Sequence, residues 1–251
     1  MTVREFSDEF DVLVSSYRRF RDFDRQEPLD TLEFNEYEKS LYLTKAQETL
    51  VLSLYNGRNS SGESFEETEE LRRYLAGLVG EAKLEAGEAS DLGLIGIDGG
   101  SDKSAFFKLP KDLWFITYES VKLDADDRPC AGVGTLEVVP VTQDEYHRIR
   151  KNPFRGANDR RALRLDLDDD VVEILSKYTV DSYYVRYLRK LTPIVLVDLP
   201  NGLSIDGVGV ITECVLHDGL HRRILELGVD LALRSKGVGT QSSGRKKEKD
   251  G

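Results

Sequence analysis

LWFITYESVKL, residues 113–123, is where the chain changes period. Trp114, Ile116 and Tyr118 alternate with Phe115, Thr117 and Glu119, in residue types that favour a pleated, half-buried strand. Downstream, TLEVVPV, RRALRLDL, VVEIL, DSYYVRYLRK and TPIVLVDL continue as short apolar or alternating runs divided by turn residues. Upstream the steps are three and four. Val3, Phe6, Phe10, Leu13, Val14 and Tyr17 form one apolar helical stripe. Asn35 with Glu38 predicts a capping box for a second helix, which stops at Asn56-Gly57. Ser64 with Glu67 predicts a third helix carrying Leu71, Tyr74, Leu75, Leu78 and Val79, and Phe6, Phe10, Leu13 and Tyr17 are expected to pack on these two.

The expected fold class is therefore α+β: an N-terminal helical bundle, a short-stranded, mostly antiparallel β region and a C-terminal helix. The expected divisions are an acidic helical region 1–91 and a β-rich region 92–212, with a short helix 142–150 capped by Thr142 and Glu145. A C-terminal helix at 213–236 and a polar, flexible tail at 237–251 follow.

At 251 residues with 39% apolar composition the chain can bury a real core. No run of 18 apolar residues predicts a membrane span, and MTVREFSDEFDVLVSS lacks the basic and apolar regions of a signal peptide. Two cysteines, Cys130 and Cys214, fit a reducing compartment, so synthesis in a cytoplasm is expected. The net charge of −11 lies wholly in residues 1–100, with 22 acids and 11 bases, because 101–251 hold 24 of each. A half so acidic repels nucleic-acid phosphates.

Against that background stands DEYHRIRKNPFRGANDRRALRLD, residues 144–166. Arg148, Arg150, Lys151, Arg155, Arg160, Arg161 and Arg164 face one acid, Asp159, between 148 and 164. Pro153 restricts Asn152 to extended backbone, so the short helix must end before it and Phe154 projects from a loop tip. The run is open to three readings: a nucleic-acid groove, an anion site or a protein contact with Phe154 as anchor and the basic residues around it.

Chemistry is not supported. Cys214, His217 and His221 give C-x2-H-x3-H, but no fourth ligand is evident, and Asp218 stands where the two-histidine protease signature needs Glu; a metal hydrolase here would carry stoichiometric zinc. Asp166, Asp168 and Asp170 imitate a calcium loop whose sixth position is Val171 and twelfth Lys177, so a turn between strands is expected instead. IGIDGG, GVGT and GVGV fit no phosphate-cradling pattern, and no G-x-S-x-G elbow is present. No catalytic residue, cofactor or metal is assigned.

Several segments carry a resemblance: LEFNEYEKSLYLTKAQETLVLSLYN (32–56), FEETEELRRYL (65–75), LPKDLWFITYESV (109–121), PVTQDEYHRIRKNPFRGANDRRALRLD (140–166), YYVRYLRKLTPIVLVDL (183–199) and TECVLHDGLHRRILELGVDLAL (212–233). In this order they resemble the structural proteins that form stacked rings in the neck of crAss-like tailed phages. The chain departs from that pattern at Leu191-Thr192-Pro193, where Lys-Pro is usual, and at Gly228, where Ala is usual. The resemblance implies a non-enzymatic virion protein of the neck, a head–tail connector assembling as a closed, twelvefold ring. Its implied partners are itself, the portal and other neck or tail rings, with genomic DNA passing through the lumen without specific binding. A DNA-contacting module acting through 148–164 is the alternative.

Overall fold

The computed structural model describes residues 1–22, 33–58, 67–87, 103–127, 134–150, 152–168, 170–200 and 202–237, with the backbone alone for 17–22. The helices are α1 (Val3–Asp22), α2 (Glu36–Tyr55), α3 (Glu69–Leu75), α4 (Gln143–Arg150) and α5 (Asp218–Ser235). The strands are β1 (Val79–Glu85), β2 (Lys103–Lys108), β3 (Leu113–Leu123), β4 (Thr135–Pro140), β5 (Arg161–Asp168), β6 (Val171–Ser176) and β7 (Val180–Arg189). The α+β class stands. Two compact units divide the chain, one of residues 1–77 with 191–251 and one of 78–190. The tail 238–251 and the tyrosine ring of Tyr17 lie outside the described residues.

In the first unit, α2 begins as its sequence dictates. Asn35 Oδ1 accepts from Glu38 N at 2.8 Å while Glu38 Oε2 accepts from Asn35 N at 3.0 Å, so two otherwise orphaned helix-start donors are satisfied. Gly57, at φ 67°, ends it. The α1 stripe buries Phe6, Phe10 and Val14, but its main partner is not α3. Phe6 lies against the His221 ring of α5, and Phe10 meets Phe34, just before α2, edge-on. The expected third helix is also shorter than the apolar spacing suggested. Thr68 caps it, Ser64 falls outside the described residues, and Val79, expected in the helical stripe, opens a strand paired along its length with β7. Hydrogen bonding to a partner strand overrides the local helical period.

TPIVLVDL is not a strand but an irregular run on α2. Ser40, Thr44 and Gln47 fall on one buried face of that helix. Gln47 donates to Thr192 O, while Ser40 Oγ accepts from Leu196 N and Thr44 Oγ1 from Ile194 N. Those three side chains supply the partners a sheet would otherwise give. Lys39 Nζ, also buried, reaches Asp11 at 2.6 Å, Glu36 at 2.9 Å and Ser7 at 3.0 Å, tying α1 to α2. At Gly228 an added Cβ would stand 3.2 Å from Leu43 Cδ2, so the departure from alanine falls where α5 packs tightly on α2.

The second unit is one seven-stranded sheet, ordered β1-β7-β3-β4-β5-β6-β2. Every neighbouring pair is antiparallel except β4 with β5. Gly87 N donates to Phe106 O at 2.9 Å, joining the two edges and curling the sheet around Phe107, Val121, Leu136, Val138, Val172 and Tyr183. A parallel pair needs a crossover. Residues 141–160 supply it: α4 lays Tyr146 and Ile149 on Leu163, Leu165 and Leu175, covering the outer side of β5 and β6. The basic run is this crossover and the strand that follows it.

Candidate interface loop

The crossover builds its tip from backbone outward. Asn152 donates to Ile149 O, and Asn152 O then accepts from Gly156 N at 2.7 Å and Arg155 N at 3.2 Å. Its side chain closes an Asx turn, with Oδ1 accepting from Phe154 N at 2.9 Å. Arg161 Nη1 donates to Phe154 O at 3.1 Å from the strand below. A Cβ at Gly156 would stand 3.0 Å from Asn152 O, so the loop closes this tightly only around glycine. On this braced turn the Phe154 side chain is 84% exposed, the most exposed large apolar group among the described residues.

The seven basic residues do not form one patch. Arg148 donates to Glu145 at 2.7 Å. Arg150 is half-buried and Lys151 lies outside the described residues. Arg161 braces the tip. Arg155 and Arg160 are exposed, with no side-chain partner among the described residues.

Arg164, counted with the interface set from sequence, is turned inward. Its Nη1 donates to both Glu119 oxygens at 2.8 Å, its Nε reaches Asp166 at 2.9 Å, and its side chain is only 11% exposed. Tyr183 OH donates to Glu119 Oε2 at 2.6 Å. Burial opposes the arginine's charge, yet the Glu119 carboxylate and its neighbours hold the guanidinium above its ordinary value. Burial, then the negative charge of Glu119, pushes the Tyr183 phenol well above its usual range. A bulge between Ile116 and Tyr118 puts Glu119 there: Ile116 packs inward, Tyr118 faces solvent and Glu119 returns to the interior. The simple alternation expected across 113–123 is broken at that point.

The remaining candidates have structural employment. His217 caps α5, its Nδ1 accepting from Gly219 N at 3.1 Å, and its ring lies against Tyr74. His221 Nε2 is 2.9 Å from Leu216 O. Cys214 Sγ donates to Gln47 Oε1, and burial pushes its thiol up to about 11. No three His, Cys, Asp or Glu among the described residues are placed to hold a metal. Asp166, Asp168 and Asp170 border the β5–β6 turn, where Asp166 meets Arg164 and Asp170 meets Lys108.

The loop is braced by its own hydrogen bonds and presents an aromatic ring to solvent. Comparison with known proteins gives it a family. Residues 1–245 match the family described as phage tail ring protein 3/4. The chain belongs to that family. It is 46% identical over 247 residues to Ring protein 3 of Bacteroides phage crAss001, covering 98% of this chain and all of that protein. It is 30% identical over 243 residues to Ring protein 4/5 of the same phage, covering 92% of each. This phage ring protein is thus matched through both compact units, tip and curled sheet included. Its role is structural.

Proposed function

We propose that the chain is one subunit of a closed ring in the neck of the virion, set between portal and tail, with copies of itself, the portal and other neck or tail rings as partners. The ring is twelvefold, and genomic DNA passes through its lumen without specific binding. The observation that carries the contact role is the braced tip holding Phe154 84% exposed beside Arg155, which is exposed and has no side-chain partner among the described residues. Ordering costs of association are already met in such a loop, and aromatic and arginine side chains dominate interface energies. Head-to-tail copies bury two different surfaces against each other, which suits a chain with its net negative charge in residues 1–100 and a basic tip at 148–160. An acidic wall also repels duplex phosphates, so DNA slides instead of sticking.

Grip on DNA through the same loop has two exposed arginines to use, Arg155 and Arg160, neither with a side-chain partner among the described residues. Any binding of a single copy to duplex DNA should fall with salt at a log–log slope of about −2. The deciding experiment is native mass spectrometry of the purified chain, alone and with the portal. A closed oligomer is expected, and the paired variant Phe154→Ala with Arg155→Ala should lose it while melting as wild type. Assembly unchanged by that variant, or a chain monomeric under every condition, overturns the reading.

A further inference from the structure

If copies meet head to tail, the tip needs a receptor. A second, unlike exposed surface is found in the first unit, on the run that leads into α5. Residues 193–215 fold as a long irregular hairpin: Val195 pairs with Thr212, Leu199 N donates to Gly209 O at 2.8 Å, and Ile205 pairs with Val208 around Asp206 and Gly207, both at positive φ. Asp198 Oδ1 accepts from Ile211 N at 2.9 Å, locking the two arms. Ile194, Val195 and Leu196 are buried beneath, but Val197, Leu203, Val210, Ile211 and Val215 stand 39–63% exposed. Monomers scatter exposed apolar residues singly, whereas five on one hairpin mark a contact surface.

Its charge is opposite to the tip's. Residues 191–217 contain Asp198, Asp206 and Glu213 and no Lys or Arg. Asp206 and Glu213 are exposed with no hydrogen bond or ion pair among the described residues. Glu48 of α2 adds to this field: partial burial and then the charge of Asp206 hold its carboxyl above the ordinary value. The surface is therefore apolar with an acidic margin, and the tip is an apolar anchor with a basic margin.

We propose that this hairpin on one copy of the chain receives the Phe154–Arg155 tip of the next copy, Phe154 on Val210 and its apolar neighbours and Arg155 toward Asp206 or Glu213. The inference rests on the ring reading above and specifies its interface. One phenylalanine does not make a specific interface of about 1,600 Å²; the tip is the central anchor, and the matched charges fix its direction. Because the two surfaces differ, the contact repeats from copy to copy without a two-fold pair, and a rotation between copies that returns to its start closes the ring.

The test places a photo-crosslinker at the tip, as Phe154→p-benzoylphenylalanine, in a mixture of light and heavy-isotope chains. Native mass spectrometry of the unirradiated sample reads assembly, and peptide mapping after irradiation reads the contact. The expected result is a closed oligomer with the crosslink in residues 197–215 of a differently labelled copy. An intact oligomer crosslinked elsewhere, or only within one copy, overturns this inference and leaves the ring reading standing. A sample that stays monomeric at every concentration tested overturns both. Val210→Asp supplies an independent arm: it should weaken assembly at least tenfold with an unchanged melt, and Leu203→Asp should act likewise. No weakening by either sinks the receptor assignment.

Discussion

Arg155 and Arg164 lie nine positions apart in one basic run and meet opposite fates. The first stands on a turn braced by Asn152, free of partners among the described residues; the second is bonded to Glu119 inside the curled sheet. Phe154 and Phe10 repeat the contrast in apolar form, one 84% exposed and one fully buried. A residue type sets what contact costs or contributes, but the element that carries it decides whether the contact is made inside the subunit or offered outside. Charge count alone cannot separate the two.

The largest effects should come from the inward members. Arg164→Ala leaves the Glu119 carboxylate in the interior without its cation and should cost about 3–5 kcal/mol in chemical denaturation. Replacing the pair together, Glu119→Leu with Arg164→Leu, should recover most of that loss, because the burden is the unpaired charge. Phe10→Ala should cost about 3–5 kcal/mol, as the ring is fully buried and meets Phe34 edge-on. An unchanged melt for either single variant would break the contrast at its root.

Smaller losses are expected where a side chain serves backbone. Ser40→Ala strips Leu196 N of its acceptor in the buried run on α2 and should cost about 1–3 kcal/mol. Gln47→Ala tests the same face through Thr192 O, and equal costs would show that α2 supports the run along its length.

The Tyr183 cluster gives the contrast a pH signature. The folded phenol is held above the unfolded value, near 10. Its contribution to stability is thus complete below pH 10 and is lost as pH rises from there through the folded value. Absorbance at 295 nm should show native protein at pH 11 retaining neutral tyrosines that ionise on unfolding, and Tyr183→Phe should reduce that difference by one tyrosine. Full ionisation in the folded state would mean the cluster is open to solvent. The smallest effect on the isolated subunit belongs to the outward members: Arg155→Ala should change monomer stability by no more than about 0.5 kcal/mol, and a larger shift would place it within the fold like Arg164.

Much of the architecture was legible locally. The capping box at Asn35, the stop at Gly57, the turn at Pro153 and the histidine-rich start of α5 rest on contacts within a few residues, so short-range spacing suffices to find them. The exposed Phe154 follows from the same logic, since a turn tip has little of its own subunit to fold back on. What spacing missed is non-local. Val79 reads as helix until β7 pairs with it, and TPIVLVDL reads as strand until Ser40, Thr44 and Gln47 take its backbone bonds.

By itself the sequence determined the α+β class, the acidic first part, the position of the basic tip and, through its ordered segments, the ring-protein family. The tertiary structure alone decided which arginines are available. In β5, Ala162 and Arg164 share the interior side while Leu163 and Leu165 pack under α4, so neither side of the strand faces water and alternation no longer sorts charge outward. A one-residue bulge in β3 then turns Glu119 inward to meet the arginine. Both facts depend on which strands become neighbours, a property of pairings far apart in the chain that no local run of residues contains.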